Sequence, residues 1–171
     1  IVGGPANGSL SGSGPNLTYT PNLNFNGADS FTFKTNDGSN DSNIATINIT
    51  VTPVNDAPIA NNQTVSTQED QARAITLTGS DVDGNPITYT VITGPVNGVL
   101  SGSGANLTYT PNSNYNGSDS FTFRTNDGTL NSNLATVTIT ISAIGDAPIA
   151  FDQAVSTPED VAKEIILVGI D

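Results

Sequence analysis

Along much of this chain apolar residues alternate with Thr or Ser, as in ATVTITIS at residues 135–142 and SFTFRT at residues 120–125. A period of two marks a strand with one buried face, because successive side chains leave opposite sides of the pleat. Clusters of Gly, Asn, Asp and Pro break the pattern about every eight to twelve residues, an interval that suits short strands joined by turns and leaves no room for helices. Between residues 56 and 145 the pattern predicts seven short antiparallel strands: A within 59–65, B in 74–78, C in 87–93, D in 99–101, E in 106–110, F in 120–125 and G in 134–141. The same phase turns Ile75, Leu77, Ile87, Tyr89, Val91, Leu107, Tyr109, Phe121, Phe123, Val137, Ile139 and Ile141 inward. The expected fold class is all-β, a Greek-key β-sandwich of the immunoglobulin-like kind.

The pattern recurs. VNDAPIA at residues 54–60 returns as IGDAPIA at 144–150, and 50 of the 81 residue pairs that stand 90 positions apart are identical, with no insertion or deletion. A 90-residue period is too long for a solenoid repeat and fits one domain per period. The chain then divides into the C-terminal part of one repeat (1–55, strands D–G), a complete repeat (56–145) and the N-terminal part of the next (146–171, strands A and B). The two outer pieces are complementary and together would supply 81 of 90 positions. Two readings follow: a window on a longer repetitive chain, or a filament subunit whose A and B strands complete the open sandwich of another copy.

Composition narrows the chemistry. Sixteen acidic residues against four basic ones give a formal charge of −12, which argues against nucleic acid and anionic membrane surfaces as partners. The chain has neither Cys nor His, which removes disulfides, thiolate zinc sites, cysteine nucleophiles and the commonest general base. No apolar run reaches the length of a membrane span, and the opening IVGGPANG does not read as a signal peptide, so a secreted protein with this sequence would carry it internally.

The acids are not scattered. In a sandwich, Asp81 and Asp83 of GSDVDGNP, Asp127 of TNDG, and Asn55 and Asp56 of the linker fall at one end, while Glu69 and Asp70 fall at the other, facing the linker at Asp146. Carboxylates gathered within about 6 Å repel one another, and a cation resolves the conflict. Oxygen ligands alone select a hard ion, and Ca²⁺ with its roughly 6 to 8 flexible ligands suits such a junction better than Mg²⁺. Asp before Gly is also an ordinary turn residue, which accounts equally for Asp127 taken alone; Asp29 and Asp119 read as caps of the turn before a core strand.

The run TNDGTLNSNLATVTITISAIGDAP, together with STQED and the Asp-x-Asp of GSDVDG, resembles the cadherin-like tandem repeats of large bacterial surface proteins and adhesins over the whole chain. The resemblance implies domains joined end to end through linkers stiffened by Ca²⁺. Carried over by position, the first junction would use Asn55, Asp56, Asp81, Asp83 and Asp127, and the second Glu69, Asp146 and Asp171. The sequence departs from that pattern where Pro53 and Ala143 replace a leading linker Asp and Gly145 replaces the linker Asn, which implies fewer or weaker ions, above all at the second junction.

The expected role is therefore a structural or adhesive module of an extracellular fibre or giant surface adhesin, secreted or at the cell surface. Its partners would be neighbouring repeats or copies of itself, with cell-surface or glycan targets left to domains outside this sequence. A carbohydrate-binding β-sandwich is the competing class, though the 4 Tyr and 6 Phe mostly alternate inward and leave little aromatic surface for sugar stacking. An enzyme is not expected: the adjacent Glu69 and Asp70 recur as Glu159 and Asp160, as a structural motif would, and nothing points to a cleft between two acids. Asn7, Asn16, Asn40, Asn48, Asn62, Asn106 and Asn116 each open a glycosylation sequon, a pattern that so much Asn, Ser and Thr produces by chance.

Overall fold

A computed structural model describes residues 1–170. Its strands are β1 (Gly8–Ser13), β2 (Asn16–Pro21), β3 (Gly27–Phe33), β4 (Ala45–Val51), β5 (Ile59–Ala60), β6 (Gln63–Gln68), β7 (Arg73–Thr76), β8 (Gly79–Ser80), β9 (Thr88–Thr93), β10 (Gly98–Ser103), β11 (Asn106–Pro111), β12 (Gly117–Asn126), β13 (Ala135–Ser142), β14 (Ile149–Ala150) and β15 (Gly169–Ile170). The described residues contain no helix. They group into two compact units. The first holds Ile1–Ala60, Thr78–Thr90 and Arg124–Leu134; the second holds Asn61–Leu77, Val91–Phe123 and the chain from Ala135 onward.

Most of the sandwich lies in the second unit. One sheet has the order β10-β11-β7, and the other runs β6-β13-β12-β9. Ile75, Leu77, Leu107 and Tyr109 of the first sheet and its flank, with Phe121, Phe123, Val137, Ile139 and Ile141 of the second, are all buried, so the inward phase read from the alternation holds for them. Ile87, Tyr89 and Val91 are only half-buried; Tyr89 and Val91 lie on β9, an edge strand.

Two features depart from seven antiparallel strands. Strand A divides at Asn61 and Asn62: β5 pairs antiparallel with β8, while β6 runs parallel to β13, with Val65 opposite Ile139. Side-chain amides cover the break. In the first unit the Asn133 Oδ1 accepts from Ala60 N at 3.0 Å and its Nδ2 donates to Ala60 O at 3.0 Å. In the second unit Asn62 Oδ1 accepts from Thr136 N at 2.8 Å. A strand that changes sheets leaves backbone groups without a ladder, and Asn, carrying both a donor and an acceptor, replaces both. The new short strand β8 exists because Gly79 permits close approach: a Cβ there would lie 2.7 Å from Ile59 O.

In the first unit β1 pairs with β2 and β3 with β4, with the registers of β10–β11 and β12–β13 displaced by 90 residues. At the far end of the chain β14 pairs with β15 in the second unit, and Phe151 N donates to Val168 O at 3.0 Å.

Candidate functional site at the linkers

In the first unit the linker before β5 is held by the loops on either side of it. Asn55 is the centre: its Nδ2 donates to Asp127 Oδ2 at 2.8 Å, and its Oδ1 accepts from Asn85 Nδ2 at 2.8 Å. The next residue adds a backbone bond, Asp56 N to Asp83 Oδ2 at 2.7 Å. Each loop is in turn folded by its own Asp. Asp81 Oδ1 accepts from Asp83 N at 2.9 Å and from Asn85 N at 3.1 Å, while Asp127 Oδ1 accepts from Thr129 N and Leu130 N, both at 2.6 Å. These are Asx turns, which explain the D-x-D-G-N and N-D-G spacings by backbone geometry alone. The bond from Leu130 N, then that from Asn55, then that from Thr129 N hold the Asp127 carboxyl down at about 2.

The five residues expected at the first junction therefore do come together, through amide and backbone donors. Among the described residues no three or more acidic side chains converge as a metal-holding group. One oxygen stands apart: Asp81 Oδ2 is buried and has no hydrogen-bond partner. The hub also involves Asn85, which sequence reasoning left out of the ligand set; its signal was the Asn that closes D-x-D-G-N.

At the second set of expected ligands, Glu69 is buried at 3 % exposure within the second unit. Its Oε1 accepts from Ile144 N at 2.6 Å and its Oε2 from Asn116 Nδ2 at 3.4 Å, while its own N–H donates to Ser142 O at 2.9 Å. Glu69 thus ties Ile144, two residues beyond β13, to the turn between β6 and β7. Asp70 takes the left-handed conformation at φ 59°, which Asp tolerates, and accepts from Asn114 N at 3.1 Å. Asp146 is exposed, and Asp171 lies outside the described residues.

A further carboxylate of the second unit, read from sequence as a turn cap, gathers four donors. Asp119 is buried and accepts from Tyr109 Oη at 2.8 Å, Ser120 N at 2.8 Å, Asn97 N at 2.9 Å and Val96 N at 3.0 Å. Burial alone would raise its pKa; the bonds from Val96, Tyr109, Ser120 and Asn97 outweigh it and lower the value, while burial beside that carboxylate pushes the Tyr109 hydroxyl up. The first unit repeats the arrangement with Asp29, Tyr19, Ala6 N, Asn7 N and Ser30 N. The signal was in the alternation: Asp119 shares the phase of Phe121 and Phe123, so period two already turned it inward.

Comparison with known proteins decides the family. The family model of the bacterial Ig domain matches residues 1–50 and 55–140. The chain belongs to the bacterial Ig domain family. Domains of this family are typically extracellular and generally non-enzymatic, and no helix of the described residues is long and apolar enough to cross a membrane. This bacterial Ig chain is also 36 % identical over 111 residues to integrin beta-like protein A of Dictyostelium discoideum, and 32 % identical over 111 residues to integrin beta-like protein B of the same organism. Each match takes in 55 % of this chain and 6 % of the relative, so the chain spans a small fraction of either protein's length. Among solved structures, an endo-fucoidan hydrolase of glycoside hydrolase family 107 aligns at 28 % identity and a TM-score of 0.44, over 82 % of this chain and 23 % of that one.

Proposed function

We propose that this bacterial Ig chain is a structural spacer of an extracellular fibre or surface adhesin, in which copy number sets length and the linkers set stiffness. The observation that carries the reading is the near-copying of one bacterial Ig unit along the chain, 50 of 81 pairs identical, which suits a role where each domain serves only its neighbours. The hub at Asn55 supports the stiffness, since bonds to Asp127 and Asn85 remove freedom from the linker. An enzymatic role has no support in the open depression beside it: of the residues Asn24, Asn26, Asn55, Val82, Asp83 and Asn85 that line it, one is a carboxylate, and an acid–base pair needs two. An antibody against the chain is expected to label intact, unpermeabilised cells or their secreted matrix. Labelling that required lysis would overturn the reading.

Calcium enters this proposal through Asp81 Oδ2, buried with no partner, in a donor set made of oxygens only. Asp81 and Asp83, with oxygens of Asn55, Asp56 and Asp127, would hold the ion at the first junction; Glu69, Asp146 and Asp171 are the residues proposed for the second. The ion would add positive charge between loops that already approach through neutral donors. Because most of these oxygens accept from N–H groups, binding would be weak and partly hydrated. At a hundredfold excess over Kd a bound ion stabilises by about 2.7 kcal/mol. Calorimetric melting in CaCl₂ and in EDTA, for the natural chain and for Asp81→Asn, tests it: a rise with calcium that the variant loses supports the ion, and identical melting curves leave the amide hub as the whole linker device.

A further inference from the structure

Four Asn-Gly pairs occur in the chain: Asn7–Gly8, Asn26–Gly27, Asn97–Gly98 and Asn116–Gly117. Such a pair can react with itself. The glycine nitrogen, with no side chain crowding it, attacks the Asn side-chain carbonyl carbon; an N–Cγ bond forms, the Cγ–Nδ2 bond breaks and ammonia leaves, giving a five-membered succinimide. Water then opens either carbonyl of that ring, producing Asp or isoaspartate, each with a new negative charge. The attack requires freedom around the Asn-Gly peptide, so hydrogen bonds on that backbone suppress it.

The two pairs of the complete repeat stand in opposite settings. Asn97 is bonded on both sides: its N–H donates to Asp119 Oδ2 at 2.9 Å, and its carbonyl accepts from Asn112 N at 2.9 Å and Tyr109 Oη at 3.3 Å. There is no space beside it either, since a Cβ at Gly98 would meet the Tyr109 ring at 2.5 Å. Asn116 and Gly117 are both exposed; Gly117 opens β12 opposite Ile141, as Gly98 opens β10 opposite Pro111, but it lies at φ 134° and the polar contact of the Asn116 side chain is the bond from its Nδ2 to Glu69 Oε2, so the contrast rests on the Asn of each pair. The first repeat copies the contrast. Asn7 donates to Asp29 Oδ2 at 2.9 Å and accepts from Asn22 N at 2.8 Å, whereas Asn26 and Gly27 are exposed.

We propose that Asn116–Gly117 is a site of spontaneous deamidation, and that its conversion releases the chain after β13. The reaction replaces an amide that donates to Glu69 with a carboxylate that repels it. Glu69 is buried, and the bond it accepts from Ile144 N is what fixes the residue leading into the linker. A second charge beside it repels the Glu69 carboxylate and drives it toward solvent, which breaks the bond that holds Ile144. Isoaspartate would add a backbone methylene at the start of β12 as well. Asn26–Gly27 is the reactive counterpart in the first repeat, and Asn7 and Asn97 serve as internal controls.

The test is ageing of the whole 171-residue chain at pH 8 and 37 °C, followed by peptide mapping with isoaspartate detection and by amide hydrogen exchange. Asn116 and Asn26 are expected to convert at least about tenfold faster than Asn97 and Asn7, whose bonds must open first. In aged protein and in Asn116→Asp the Ile144 amide should exchange about tenfold or more faster, while the Val96 and Asn97 amides held by Asp119 keep their protection and report that the fold is intact. Asn116→Gln, which keeps a donor and reacts far more slowly, should preserve Ile144 protection. Conversion of Asn97 as fast as Asn116 would overturn the site; conversion of Asn116 with unchanged Ile144 exchange would overturn its link to the linker.

Discussion

Asp119 shows how much one inward carboxylate can organise. Four donors converge on it, three of them backbone groups of the strand and loop on either side, and the fourth the hydroxyl of a wholly buried Tyr109. Removing it in Asp119→Ala leaves Val96 N, Asn97 N and the Tyr109 hydroxyl to find water or stay unpaired, and should cost about 3–5 kcal/mol in urea denaturation. Tyr109→Phe deletes one donor and leaves the carboxylate satisfied by the others, so about 1–2 kcal/mol is expected. Because the folded pKa of Asp119, like that of Asp29, lies below its unfolded value near 3.9, the stabilisation is present above about pH 4 and is lost as pH falls through the folded pKa. Denaturation midpoints compared at pH 6 and pH 3 should fall less in Asp119→Asn than in the natural chain, since the variant has lost the proton-linked part. Asn55 can be probed in the same way by copying the second linker: Asn55→Gly should raise the Asp127 pKa from about 2 toward the ordinary carboxylate range, as followed by carbon NMR of the side chain. An unshifted titration would mean that the Thr129 and Leu130 amides alone set it.

At the scale of strands, alternation made the core legible, and turns made it incomplete. Phe121, Phe123, Val137, Ile139 and Ile141 are buried where period two put them. What alternation could not carry was pairing between strands distant in sequence. The parallel run of β6 beside β13 and the short β5–β8 pair depend on where the chain changes sheets, and the residues that permit it, Asn133 and Gly79, look like ordinary loop residues in the sequence. The linker site divides in the same way: the acids were visible as acids, but their hydrogen bonds to Asn55, Asn85 and backbone amides were not, because an Asx turn and a metal ligand use the same residue. Glycines separate these cases experimentally. Gly98→Ala should cost about 1–3 kcal/mol, because its Cβ would meet both the Tyr109 ring and Thr110 O. Gly94→Ala, with nothing within 4 Å of the new Cβ, should be neutral or slightly stabilising in the same denaturation assay.

For the whole molecule, repetition has a cost in folding. A chain in which 50 of 81 residue pairs 90 positions apart are identical offers its strands a second set of partners nearly as good as their own. The segment NLTYTP, for example, forms both β2 and β11 and pairs with SLSGS in one case and VLSGS in the other, in the same register. Pairing errors between near-identical units conserve most core contacts, so they are low in energy and slow to correct. The net charge of −12 opposes them between molecules, and salt screens that opposition over distances of about 8–10 Å. Refolding from urea should therefore give a fraction of concentration-dependent dimer, larger at 0.5 M than at 0.02 M NaCl, resolved by size exclusion with light scattering. Leu107→Val, with Leu17 unchanged, makes the two copies of NLTYTP unequal and should lower that fraction. A dimer yield that ignored both salt and the substitution would show that the near-identity of the repeats does not govern how the chain finds its partners.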